Sequence, residues 1–256
     1  MMVRQADNHA VGLADGLLGC LFDLDGVITK TASVHAAAWK EMFDAYLEES
    51  AQQAGEPCVP FDEVGDYDTY VDGKSRADGT RSFLESRGVR LPEGGPDDPV
   101  GAMTVHGLGN RKNEIVLRRI RENGVEVYDG SIRYLREVRA RGFGCAVVSS
   151  SANCQAVLEA AGIEDMFDQR VDGVTALREG LRGKPAPDMF LAGARALGLE
   201  PSRCVVFEDA LAGVAAGRAG RFGQVVGVDR AGQAAALREH GAAVVVSDLA
   251  DLLLAS

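Results

Sequence analysis

From Asp129 onward the chain alternates helical with strand-like segments, and this alternation restricts the fold more than any other feature. Helical spacing over Ser131 to Arg141 stops at Gly142, an apolar run follows from Gly144 to Val148, and a further helix runs from Ala152 to Ala161 ahead of Gly162. The rhythm continues through helix Pro187 to Leu197, strand Cys204 to Phe207, helix Ala210 to Ala219, strand Gln224 to Val228, helix Gln233 to His240 and strand Ala243 to Val246. Strands joined through helices come back in the same direction, so the expected product is a parallel sheet covered by helices. Leu17 to Phe22 is an apolar run that stops abruptly at acids and Gly26, and it joins as the first strand of a doubly wound, Rossmann-like α/β sheet.

Between that first strand and Asp129 the pattern is helical. Val34, Trp39, Met42, Phe43, Tyr46 and Leu47 recur at helical spacing, Ala51 to Gly73 is irregular, and Ser75-x-x-Asp78 starts a helix that ends at Gly88. Leu91 to Pro99 reads as a surface loop and Asn110 to Glu122 as another helix. The expected organisation is a core of residues 1–30 and 126–256 with a helical cap, residues 31–125, inserted after the first strand. The first sixteen residues read as a loose lead-in without the basic start and apolar middle of a secretory signal.

Bulk properties exclude several classes. The formal net charge of -11 argues against nucleic-acid or anionic-membrane partners, and no apolar run approaches the ~18 residues of a membrane span. The five cysteines are odd in number and lack C-x-x-C or zinc-like spacing, so they read as small core residues in a reduced, cytoplasmic setting. A monomer is expected.

In an open α/β sheet the site lies beyond the carboxyl ends of the strands. There the sequence offers Asp23 and Asp25 after the first strand, Ser149 after Val148, Lys184 between Gly183 and Pro185, and Glu208 and Asp209 after Phe207. Phosphoryl transfer uses those types: a nucleophile, a proton donor, positive charge on the equatorial oxygens and hydrogen-bond donors. Asp23 and Asp209, with the Leu24 carbonyl, supply the hard oxygens that Mg²⁺ prefers. Taken singly, each acid could cap a helix, as Asp209 could before Ala210, and Lys184 could be a solvated surface lysine; their co-occurrence favours a site.

Asp23-Leu24-Asp25-Gly26-Val27-Ile28-Thr29, Ser149, Lys184-Pro185 and Glu208-Asp209 resemble, in order, the four motifs of haloacid dehalogenase-type phosphotransferases. The resemblance implies a Mg²⁺ cofactor with Asp23, Leu24, Asp25, Glu208 and Asp209 as ligand candidates. It also implies an aspartyl-phosphate on Asp23, and Asp25 as the acid that protonates the leaving oxygen and then deprotonates the acceptor. The insertion is similar to the cap of the β-phosphoglucomutase branch. Thr31, His35 and Ala38-Trp39-Lys40 resemble its opening segment, Gly73-x-Ser75-Arg76 its loop for the non-transferring phosphate, and Arg111-Lys112-Asn113 its substrate-contacting segment. Ser149-Ser150-Ser151-Ala152-Asn153 resembles its phosphate and sugar loop, with Ala152 where lysine is common. Lys30 stands where an acid is usual, and residues ~48 to ~72 are longer than a compact cap of this kind. Phosphate-binding roles thus fall to Ser149, Ser150 and Lys184, and substrate contacts to Thr31, His35, Arg76, Lys112, Asn113, Ser151 and Asn153.

Trp39 reads as packing. Gly107-Leu108-Gly109 lacks a preceding strand and a third glycine, so it does not mark a dinucleotide site. The implied activity is interconversion of β-D-glucose 1-phosphate and glucose 6-phosphate, a small phosphorylated sugar being the partner. The alternative is a Mg²⁺-dependent phosphatase that lets water attack the same intermediate. A non-catalytic sugar-phosphate sensor has no need for both Asp23 and Asp25, so the full set argues against it.

Overall fold

The computed structural model describes residues 8–55 and 57–253. The chain divides into two compact units, Met1–Lys30 with Val125–Ser256, and Thr31–Gly124.

The first unit holds a six-stranded parallel sheet. Its strands are β1 (Gly19–Phe22), β2 (Gly144–Val148), β3 (Gln169–Val171), β4 (Cys204–Glu208), β5 (Gln224–Val228) and β6 (Val244–Val246), in the order β3-β2-β1-β4-β5-β6. β1 is central because it is apolar throughout and buried on both faces. One face packs Leu21, Ala146, Val148 and Val206 against Met189, Phe190 and Val214. On the other, Phe22 stacks on Phe207 at 4.6 Å and Tyr134 meets Phe207 edge-on at 5.4 Å. Strand order reverses between β1 and β4, and such a switch point opens a crevice at the carboxyl ends.

The expected parallel sheet is present, with differences at the edges. Sequence reading missed β3 and the helix that follows it, Gly173–Glu179, because Gln169-Arg170-Val171 is a short edge strand carrying one apolar residue. The lead-in is less loose than expected: Val11 and Leu13 are buried, Asn8 Nδ2 donates to Ala14 O at 2.6 Å, and the Tyr134 hydroxyl donates to Val11 O at 2.9 Å. Residues 1–7 lie outside the described residues.

Helices of this unit are α4 (Asp129–Ala140), α5 (Cys154–Ala161), α6 (Gly173–Glu179), α7 (Asp188–Ala196), α8 (Leu211–Ala219) and α9 (Ala234–His240). The second unit contains α1 (Ala32–Ala54), α2 (Arg76–Ser86) and α3 (Val105–Asn123). Ser75 caps α2 as its spacing predicts, its Oγ accepting from Asp78 N at 3.2 Å and donating to Asp78 Oδ2 at 2.6 Å. The segment expected to be irregular from Ala51 is helical to Ala54, and its later part is used for packing. Phe61 returns to the core, 5.4 Å from Phe43 and 5.0 Å from Phe83, with its backbone held by Lys40 and Asp44 of α1. Trp39 stacks on Phe43 at 5.2 Å, the packing role read from sequence. Four cysteines are buried, whereas Cys58 is exposed and departs from the core reading. Among the described residues no helix is long and apolar enough to cross a membrane.

Candidate active site

Strand register delivers the acids to one place. Phe22 of β1 is level with Phe207 of β4 and Val147 of β2, so Asp23 leaves the sheet beside Glu208. Asp23 N donates to Phe207 O at 2.9 Å, which carries the ladder one residue further. Asp23, Glu208 and Asp209 are all buried, and each presents a carboxylate oxygen within 4.8 Å of the others.

Lys184 reaches this cluster from the loop between α6 and α7, and not from a strand end as its motif suggested. Its buried ammonium donates to Asp23 Oδ1 at 2.5 Å, Glu208 Oε1 at 2.6 Å and Val148 O at 3.3 Å. Burial works against the charge, but Asp23 and Glu208 outweigh it and hold Lys184 above the ordinary lysine range. One ammonium does not balance three carboxylates. Burial raises the Asp23 pKa well above the ordinary range, with Lys184 opposing and Glu208 and Asp25 adding to the rise. This surplus of buried negative charge, carried entirely on hard oxygen donors, fits a divalent cation.

Asp25 is half-buried and stands outside that trio, taking a long 3.4 Å hydrogen bond from Ser149 Oγ. Ser149 is itself buried, and its Oγ accepts from Ser151 N at 3.1 Å; Ser151 Oγ in turn accepts from Asn153 N at 3.1 Å. The hydroxyls of Ser149 and Ser151 thus shape the loop after β2, in which Ser150 is half-buried.

In the helical unit, Arg76 is the first residue of α2 and half-buried. Desolvation lowers its pKa, and among the described residues no carboxylate pairs with its guanidinium. Lys112 is buried, donates to His35 Nδ1 at 2.7 Å and lies 4.7 Å from the Trp39 ring centroid. With Lys112 donating, Nδ1 is the acceptor and the His35 ring proton sits on Nε2. Thr31 is buried at the start of α1, and Asn113 follows Lys112 half-buried on α3.

Comparison with known proteins agrees with this arrangement. Residues 18–221 match haloacid dehalogenase-like hydrolases. A protein named β-phosphoglucomutase from Mycobacterium bovis is 58% identical over 249 residues, covering 96% of this chain and 95% of that one. One of the same name from Bacillus subtilis is 32% identical, covering 91% of each chain. The crystal structure of β-phosphoglucomutase from Clostridium difficile superposes with a TM-score of 0.73 at 26% identity, covering 92% of this chain and 93% of that one. The chain belongs to the haloacid dehalogenase-like hydrolase family, on its β-phosphoglucomutase branch.

Within that family frame, one ligand expectation changes. The Leu24 carbonyl accepts from Ile28 N at 3.0 Å, Thr29 N at 2.9 Å and Thr29 Oγ1 at 3.1 Å. Both lone pairs are committed to closing the turn, so Leu24 leaves the ligand set. Beside Asp209, Glu208 Oε2 accepts from Ala210 N at 2.9 Å, one residue ahead of the start of α8.

Glycines that the motif reading passed over also shape this cluster. Gly26 has φ +92°, and a β-carbon there would overlap the Asp209 carboxylate. A β-carbon on Gly213 would overlap Glu208 Oε1. Gly213→Ala is therefore expected to displace Glu208 and lower kcat/KM by roughly 10- to 100-fold, as misplacements near 1 Å do. Steady-state kinetics check this, and unchanged kcat/KM would remove Glu208 from the machinery. Gly109, which marks no dinucleotide site, makes room on α3 for the Arg76 stem, since a β-carbon there would lie 3.1 Å from Arg76 Cγ.

Proposed function

We propose that the protein is a β-phosphoglucomutase that interconverts β-D-glucose 1-phosphate and glucose 6-phosphate through an aspartyl-phosphate on Asp23, acting as a cytoplasmic monomer. Residues 1–30 and 126–256 form the catalytic core in this reading, and residues 31–125 form the cap.

The Asp23 carboxylate attacks phosphorus as the bond to the leaving oxygen breaks, and the Asp25 carboxyl gives that oxygen its proton. In the second half, the acceptor hydroxyl loses its proton to Asp25 while attacking the phosphoryl group, and the Asp23 carboxylate departs. Lys184 neutralises a phosphoryl oxygen, and Ser149 and Ser150 donate hydrogen bonds to others. Mg²⁺ held by Asp23, Glu208 and Asp209 would offset the repulsion between attacking carboxylate and phosphate. Thr31, His35, Lys112, Asn113, Ser151 and Asn153 are assigned to the sugar and its second phosphate.

Arg76 carries the choice of mutase over hydrolase. A half-buried guanidinium that no carboxylate among the described residues pairs keeps its donors for an anion, and a mutase binds a second phosphate where a simple phosphatase need not. The test supplies β-glucose 1-phosphate, Mg²⁺ and a trace of glucose 1,6-bisphosphate, and follows glucose 6-phosphate against free phosphate. Release of phosphate without isomer would replace the mutase by a phosphatase acting on a small sugar phosphate.

Arg76→Ala is expected to slow isomerisation by roughly 10- to 100-fold, the worth of charge-assisted hydrogen bonds. Hydrolysis of a simple monoester should stay within about twofold, because that substrate has no second phosphate to lose. Equal losses on both substrates would argue that Arg76 serves the fold.

A further inference from the structure

We infer that Arg230 and Gln233, in the loop between β5 and α9, are positioning residues that brace the two acidic loops against each other and so set the spacing of the cation cluster. The inference rests on the metal reading of Asp23, Glu208 and Asp209.

Neither residue carries one of the family motifs, and neither touches a carboxylate of the cluster. Each instead grips the main chain of a loop that bears one. Arg230 Nε donates to Gly26 O at 2.9 Å, three residues after Asp23. Gln233 Nε2 donates to Asp209 O at 3.2 Å. The loop holds its own shape through Gln233 N, which donates to Asp229 Oδ1 at 2.8 Å. One short segment thus fixes a carbonyl on each side of the gap between the loops.

That gap has little tolerance. Gly26 lies so close to the Asp209 carboxylate that a β-carbon would overlap it, so movement of either loop moves a ligand oxygen. Arg230 is anchored well enough to resist such movement. Its guanidinium lies 3.6 Å from the Tyr128 ring centroid, and Nη1 donates to Ser247 O at 2.7 Å. Asp248 Oδ2 at 3.4 Å and Ser131 Oγ at 3.5 Å complete its polar surroundings. Ser131 Oγ donates to Val27 O at 2.6 Å, so the next residue of the Gly26 turn is held as well. Planar stacking and directed N–H bonds are properties of arginine that lysine does not reproduce.

The brace and plain electrostatics predict opposite signs. Arg230 is a cation, and removing a cation near a site for another should tighten metal binding. Loss of the brace should weaken it, because partners that orient ligands are typically worth 10- to 100-fold in metal affinity.

The experiment titrates Mn²⁺ into the full-length protein stripped of metal, with free Mn²⁺ read by electron paramagnetic resonance. Wild type, Asp209→Asn, Arg230→Gln and Gln233→Ala are compared well below their melting temperatures. Wild type should bind one ion that Asp209→Asn loses. If it does not, the metal reading fails and the brace fails with it. Given that binding, Arg230→Gln should raise the Mn²⁺ dissociation constant by roughly 10-fold or more. Unchanged or tighter binding overturns the brace. Should Arg230→Gln not fold, Gln233→Ala decides alone: its charge is neutral, so weaker binding supports the brace and wild-type binding overturns it.

Discussion

Asp23→Asn is expected to abolish turnover, by more than about 10⁴-fold in kcat, while leaving the protein folded. The amide keeps the volume and one oxygen but cannot attack phosphorus. Its effect on stability separates a lost nucleophile from a lost fold. Burial raises the Asp23 pKa in the metal-free protein, with Lys184 opposing and Glu208 and Asp25 reinforcing the rise. A carboxyl with a raised native pKa binds more protons folded than unfolded, so its contribution to stability falls as pH climbs past the unfolded value. Above the unfolded carboxylate value Asp23 is therefore a liability without its cation, and Asn removes that liability. Metal-free Asp23→Asn should melt no lower than metal-free wild type near pH 7. Undiminished turnover refutes the nucleophile assignment, and a sharply lower melting temperature refutes the account of the acid cluster.

The same cluster shows what a sequence can carry. Asp23, Ser149 and Glu208-Asp209 were legible because strands end abruptly at them, and parallel register then leaves little freedom in where they meet. Lys184 was legible through its motif, although its route to the site was not. It arrives from the loop after α6, a helix hidden because a three-residue edge strand with one apolar side chain leaves no periodic trace before it. The Leu24 carbonyl was misassigned for a related reason. Which main-chain oxygen of a turn is consumed by Ile28 and Thr29 depends on the left-handed Gly26, and composition does not report backbone direction. Gly213 and Gly109 were invisible because a helical glycine has meaning only once its neighbour, Glu208 or Arg76, is in place. Arg230 is the extreme case: its polar partners are two main-chain carbonyls and two side chains, drawn from segments some hundred and two hundred residues earlier as well as from nearby, and no local pattern marks them.

Lys184→Met should produce the second large effect, and it should appear in stability as well as rate. The substitution keeps an apolar stem beside Phe190, whose ring centroid lies 4.9 Å from the ammonium, but strands Asp23 and Glu208 in a buried site. Removing one partner of a buried ion pair costs about 3–5 kcal/mol. At roughly 2–4 °C per kcal/mol for a chain approaching this size, the metal-free variant should melt about 6–20 °C lower than wild type. Saturating divalent cation should recover part of the difference, because a ligand that binds only the folded state stabilises it. Isomerisation should fall by at least about 100-fold even in the folded variant, since charge on the transferring phosphoryl group loses its ammonium partner. The pH dependence follows from the carboxylates, not from lysine. Lys184 has its pKa raised, so the stability it contributes is fully present below the ordinary lysine value of 10.5 and is lost only as pH rises through the folded value. Between about pH 5 and pH 8 its own titration leaves the gap unchanged. The stranded Asp23, freed of the one group that lowered its pKa, takes up a proton as pH falls and is relieved of its charge. The melting difference between wild type and Lys184→Met should therefore narrow toward acid. A gap that stays constant across that range would mean that the buried carboxylates are not what Lys184 holds in place.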